Sequence, residues 1–261
     1  MMTCRFPFLA LVALLILAGC ATTPEPTETR SGMDRVSPVR GAEVNTRLGI
    51  GYLERGDFRT ALEKLQTALN HDPDHVPAHL GAALIYEQIG DSSRAGQHYR
   101  RAIRLAPNDG GTLNSYGVFL CRQGDFGSAD EQFMAAVRDP FYDTPEVAWA
   151  NAGACARRNG DLETADQHLR RAIEIDPQYP DPLYHLADIH YQQGEAFRAR
   201  AFLQRFESVA NPEPGALLLG YRIERQLDNH ADAYQYADRL EREFPDSSQA
   251  RELRRELQED D

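Results

Sequence analysis

The chain has 261 residues, 42% hydrophobic and 26% charged, which allows one extended repeat domain or one or two compact ones. Its net charge of −12 excludes nucleic-acid binding and a polybasic membrane surface as the main activity, because both need a basic patch. Lysine occurs once, at Lys64, so any basic recognition runs through arginine forks.

Taken in chain order, Met1 to Arg5 form a short positively charged start, and Phe6 to Leu17 an apolar run of secretory length. That run is shorter than the roughly 20 apolar residues a membrane-crossing helix needs. It ends in Leu17-Ala18-Gly19-Cys20, which resembles the lipobox of bacterial lipoproteins. The resemblance implies removal of residues 1–19 and a diacylglycerol plus an acyl chain on Cys20, enough for stable anchoring. Ala21 stands where an aspartate commonly marks inner-membrane retention, so the implied address is the periplasmic face of a Gram-negative outer membrane. Residues 20–41, rich in Thr, Pro and Glu, read as a flexible tether.

From residue 42 a period near 34 residues dominates. Prolines recur at Pro73, Pro107, Pro140, Pro177, Pro212 and Pro245. Gly-Asp turns precede them at Gly56-Asp57, Gly90-Asp91, Gly124-Asp125 and Gly160-Asp161, with Gly194-Glu195 and Asp228-Asn229 as variants. Glycine tolerates the left-handed backbone that ends one helix, and aspartate caps the next. Alanines follow at Ala61, Ala95, Ala129, Ala165, Ala199 and Ala233, where small size lets paired helices approach; Leu65, Tyr99, Phe133 and Leu169 fill the space beside them. These features, with Leu48-Gly49, Tyr52, Tyr86, Gly117, Trp149 and Gly153, resemble tetratricopeptide repeats. The resemblance implies an all-α, right-handed superhelical solenoid with repeats at 42–75, 76–109, 110–143, 146–179, 180–213 and 214–247, the last two degenerate. Residues 248–261 read as a capping helix packing Leu253 and Leu257 inward.

In that fold the first helix of each repeat lines a concave face. There the first two repeats offer an apolar strip of Ile50, Leu53, Leu80 and Leu84, either a partner groove or packing between neighbouring helices. Repeats three and four offer Asn114, Arg122, Arg157 and Arg158; five and six offer Tyr184, Tyr191, Arg222 and Arg225. Aromatic and arginine side chains are enriched at interface hot spots, though a lone arginine is more often simply solvated. Thr46 and Ile50 replace the Lys and Asn of a carboxylate clamp, which argues against recognition of an acidic C-terminus.

Cys4 lies in the leader, leaving Cys121 and Cys155 on first helices of adjacent repeats. An oxidising compartment permits a disulfide between them; two buried thiols are the alternative. His71, His75 and His79 have ladder spacing, but Pro73 and Pro77 interrupt it, so no metal site is expected. Phosphate-binding glycine loops, nucleophile elbows and zinc-protease motifs are absent from the sequence, and neither catalysis, a cofactor nor a small-molecule substrate is expected.

One stretch is more specific. Asn114-Ser115-Tyr116-Gly117-Val118-Phe119-Leu120-Cys121-Arg122-Gln123-Gly124, then Arg138-Asp139-Pro140-Phe141-Tyr142-Asp143-Thr144-Pro145-Glu146, then Asn151-Ala152-Gly153-Ala154-Cys155-Ala156, resembles the PilF/PilW lipoproteins of type IV pilus biogenesis, as does Phe244-Pro245-Asp246-Ser247. The resemblance implies a pilotin, which binds the outer-membrane secretin and promotes its localisation and multimer assembly. It also implies secretin contact through the first repeats, and a paired Cys121 and Cys155 fits some members. The alternative is a periplasmic adaptor lipoprotein serving cell-wall enzymes or outer-membrane protein assembly.

Overall fold

The computed structural model describes residues 37–259, which contain helices and no strand. Six helix pairs follow one another. They are α1 (Pro38–Glu54) with α2 (Phe58–His71), α3 (Val76–Gln88) with α4 (Ser92–Leu105), and α5 (Gly110–Gln123) with α6 (Phe126–Ala136). Next come α7 (Pro145–Arg158) with α8 (Leu162–Ile175), α9 (Pro180–Gln192) with α10 (Ala196–Val209), and α11 (Pro214–Gln226) with α12 (His230–Glu243); α13 (Ser248–Glu259) closes the series.

Each pair turns by the same chemistry. Gly56, Gly90, Gly124, Gly160 and Gly194 all have φ between 74° and 83°, a conformation that costs glycine nothing. In the sixth repeat Asp228 takes that place at φ 56°, in the region that aspartate and asparagine tolerate best after glycine. The Asp57, Asp91, Asp125 and Asp161 carboxylates then accept from the backbone N–H three residues on, at 2.9–3.3 Å. Glu195, too long to cap in this way, instead bonds Arg198 and His190.

Within a repeat, a small residue on the first helix faces a large one on the second. A Cβ on Gly49 would sit 2.7 Å from Leu65 Cγ, one on Gly117 2.8 Å from Phe133 Cε1, and one on Gly153 2.5 Å from Leu169 Cγ. The flanking Ala61, Ala68, Ala129, Ala136, Ala165 and Ala172 are fully buried, so no other residue type fits without moving the helices apart. The sixth repeat only looks degenerate. Its pair is shifted by one residue, with Gly220 seated against Tyr236, where a Cβ would be 2.5 Å from Cε1.

Three expectations change. The first helix begins at Pro38 rather than after residue 41, because Ser37 caps the Arg40 N–H and Pro38 suits the first turn. Leu253 is fully buried, but Leu257 is 39% exposed, one turn beyond the core that α11 and α12 build under α13. Leu53 and Leu80 of the apolar strip are half-buried against their own repeats' cores.

Candidate binding surface

α1 and α3 lie side by side, and each carries two of the four strip residues one turn apart. Ile50 is 38% exposed and Leu84 41%, while Leu53 and Leu80 form the floor between them and the core. The strip is thus an exposed apolar pair on a packed base. Leu48 on α1 and Ile89 at the C-cap of α3, each 46% exposed, add apolar area that the strip of four did not include. Thr46, at a carboxylate-clamp position, is buried beside it.

The polar candidates are engaged differently. Arg122 on α5 donates to Glu87 on α3 at 3.0 Å, and Glu87 also accepts from the Tyr99 hydroxyl at 2.6 Å. Burial and that carboxylate push the Tyr99 hydroxyl pKa far up, so it stays a donor. Arg157 on α7 pairs with Asp188 on α9, and Arg222 on α11 bridges Glu252 and Glu256 on α13, the Glu252 contact at 2.5 Å. Arg158 reaches the Arg122 carbonyl. The Asn151 amide donates to Asn114 Oδ1 at 3.0 Å. Tyr184 and Tyr191 are half-buried against the core of repeats four to six, Tyr184 tilted on Phe206. These side chains therefore form a ladder across neighbouring first helices, and a partner would meet it as a pre-ordered, half-neutralised surface. Their acidic partners lie in other repeats, 30 or more residues away, which the sequence pattern does not reveal.

Cys121 on α5 and Cys155 on α7 form a disulfide, with Cα atoms 5.8 Å apart and both side chains buried. It spans 34 residues and ties repeat three to repeat four across the longest connection. There, Asp139 accepts from the Gly110 N–H at 2.8 Å and the Phe141 N–H at 2.9 Å, while Tyr142 covers Gly110. Phe141 is left 88% exposed, a candidate contact within the segment that carries the family resemblance. Replacing both cysteines by serine is expected to cost about 2–4 kcal/mol, the usual range for closing such a loop. Urea unfolding of the variant against the oxidised protein measures it; a loss below about 0.5 kcal/mol would mean the link does not constrain the unfolded chain.

His71 ends α2, His75 precedes α3 and His79 lies within α3, so the three do not converge. Among the described residues no group of three or more His, Cys, Asp or Glu is placed to hold a metal. No helix among them is long and apolar enough to cross a membrane; Cys20 lies outside the described residues.

The helix pairs, their glycine turns and the alanine seams define a tetratricopeptide solenoid, a class that binds partners along its helical faces. Tetratricopeptide family models match residues 46–110, 157–194 and 183–208. The chain is 28% identical over 251 residues to the type IV pilus assembly protein PilF of Pseudomonas aeruginosa, covering 95% of this chain and 98% of that one. The crystal structure of PilW, described as a widely conserved type IV pilus biogenesis factor, superposes with a TM-score of 0.76 at 30% identity, covering 81% of this chain and 97% of that one. The Pseudomonas aeruginosa PilF structure superposes with a TM-score of 0.75 at 25% identity, covering 84% and 99%. The chain belongs to the PilF/PilW family of tetratricopeptide type IV pilus biogenesis proteins.

Proposed function

We propose that the protein serves type IV pilus biogenesis as a pilotin. Anchored at the periplasmic face of the outer membrane by lipid on Cys20, it binds the pilus secretin and promotes its localisation and multimer assembly. The observation that carries this reading is similarity to PilF over 251 residues, 95% of the chain. The exposed Ile50 and Leu84 on adjacent helices supply an apolar seat for a secretin segment.

Deleting the gene should reduce secretin multimers in outer-membrane fractions; unchanged multimers in the right membrane would overturn the pilotin reading and favour another periplasmic adaptor. Leu84→Glu tests the seat. Leu84 is 41% exposed, so the repeat should stay folded, while a carboxylate buried against an apolar partner is costly. Affinity for purified secretin should fall by about tenfold or more, equivalent to roughly 1.4 kcal/mol. Equal affinity would remove the strip from the interface.

A further inference from the structure

α4 carries a concentration of cations that the pilus reading does not use. Arg100, Arg101 and Arg104 follow Gln97 on one face over about 10 Å of helix, with 97/100, 97/101, 100/104 and 101/104 spaced three or four residues apart. With His79 and His98 they line a cavity of about 430 Å³. No carboxylate is among the lining residues, although the chain has 40 acidic residues against 28 basic ones. Arg101 pairs with Asp74 outside the lining, whereas Arg100 and Arg104 have no ion-pair partner among the described residues. Like charges at these spacings destabilise a helix. The C-terminal end of α4 favours Arg104, but that leaves Arg100 unexplained.

The two imidazoles are fixed in one arrangement. His79 Nε2–H donates to the Pro73 carbonyl at 3.0 Å, so its Nδ1 accepts from His98 Nδ1–H, also at 3.0 Å. His98 stacks on Tyr86, which holds its ring in place. Burial lowers both histidine pKa values, helped by Arg101 at His79 and by His79 at His98 and opposed at His79 by the Pro73 hydrogen bond and Asp74; the net lowering favours the neutral rings. His98 Nε2 then keeps a lone pair that can accept a proton-bearing oxygen. Guanidinium forks matched to an oxyanion, beside one acceptor, suit a singly protonated phosphate better than a carboxylate, which has no proton to give.

We propose that this cavity binds a phosphate group, with Arg100, Arg101 and Arg104 holding its oxygens and His98 accepting from its hydroxyl. Free phosphate and the phosphomonoester headgroup of phosphatidic acid present the same chemistry, and the test separates them. The purified full chain is titrated at low ionic strength with inorganic phosphate, and separately with phosphatidylcholine vesicles with or without phosphatidic acid. The readout is the His98 ring resonance, which membrane attachment elsewhere in the chain does not move. Arg100→Ala/Arg104→Ala, at exposed positions, should keep the circular dichroism of the parent and weaken binding at least tenfold.

A saturable shift with inorganic phosphate, lost in the double variant, establishes a free-phosphate site. A shift only with phosphatidic acid vesicles, equally lost, establishes a headgroup site. No shift with either probe, equal affinity in the double variant, or the same loss in an Arg55→Ala/Arg59→Ala control would overturn the proposal. A shift produced by an acidic peptide at lower concentration than by phosphate would overturn it as well, in favour of a protein partner.

Discussion

Arg200→Ala is expected to destabilise the C-terminal repeats by about 3–5 kcal/mol, the usual consequence of stripping a buried charge of its partner. The Glu224 side chain is only 5% exposed. Its carboxylate accepts from both Arg200 Nε at 2.8 Å and Arg200 Nη2, and from the Asn229 amide at 2.9 Å. These contacts join α10, α11 and the turn into α12, so the pair closes the seam between repeats five and six. Hydrogen bonding to Glu224 is also the largest cause raising the Arg200 pKa, which keeps the guanidinium charged throughout. Removing Arg200 leaves a buried carboxylate with one side-chain amide donor, from Asn229. The apolar double variant Arg200→Met/Glu224→Leu should regain most of the loss, because it takes away both desolvation penalties together. Urea denaturation of the three proteins decides the matter. A single-variant loss below about 1 kcal/mol would mean that water reaches Glu224 and that the seam is held by packing alone.

Phe133→Ala is expected to cost about 3–5 kcal/mol, lost largely from repeats three and four. The ring is fully buried among Tyr99, Phe119 and Leu120, with Ala129, Ala152 and the disulfide around it. A wall made of alanine, backbone and a covalent link has little freedom to collapse into the space left behind, which places the cost toward the upper end of that range. The same contact makes a second measurement possible. Gly117→Ala puts a methyl 2.8–3.1 Å from three atoms of the Phe133 ring, so it should destabilise the parent protein. In a Phe133→Leu background the methyl has room, and the cost should shrink. A double-mutant cycle from thermal unfolding reads this coupling; strict additivity would show that Gly117 and Phe133 do not share one space.

The two seams differ in how far they can be foreseen. Phe133 and Gly117 sit sixteen residues apart at fixed places in a repeating pattern, and so do the left-handed glycines and the capping aspartates. Those features are local: a turn or a cap is satisfied by atoms within a few residues, so the sequence carries it directly. The solenoid, the repeat spacing and the exposure of Ile50 and Leu84 follow from the same periodicity. Leu257 faces α11 and α12 as expected but stays 39% exposed, because amphipathic spacing gives the face a residue takes and not where the neighbouring helices end.

What the tertiary structure alone decided is which distant side chains meet. Arg122, Arg157 and Arg222 read as independent interface candidates, yet the first two are tied to acids on neighbouring first helices and Arg222 to acids on the capping helix α13. His79 stood out for His71 and His75 nearby in sequence, but its partner is His98 on the next helix. The buried Glu224 and the one-residue shift that seats Tyr236 on Gly220 had no signature in the repeat pattern. The reason is geometric. Stacked repeats bring together residues a whole period apart, and their pairing depends on the rotation between helices, which no single repeat encodes.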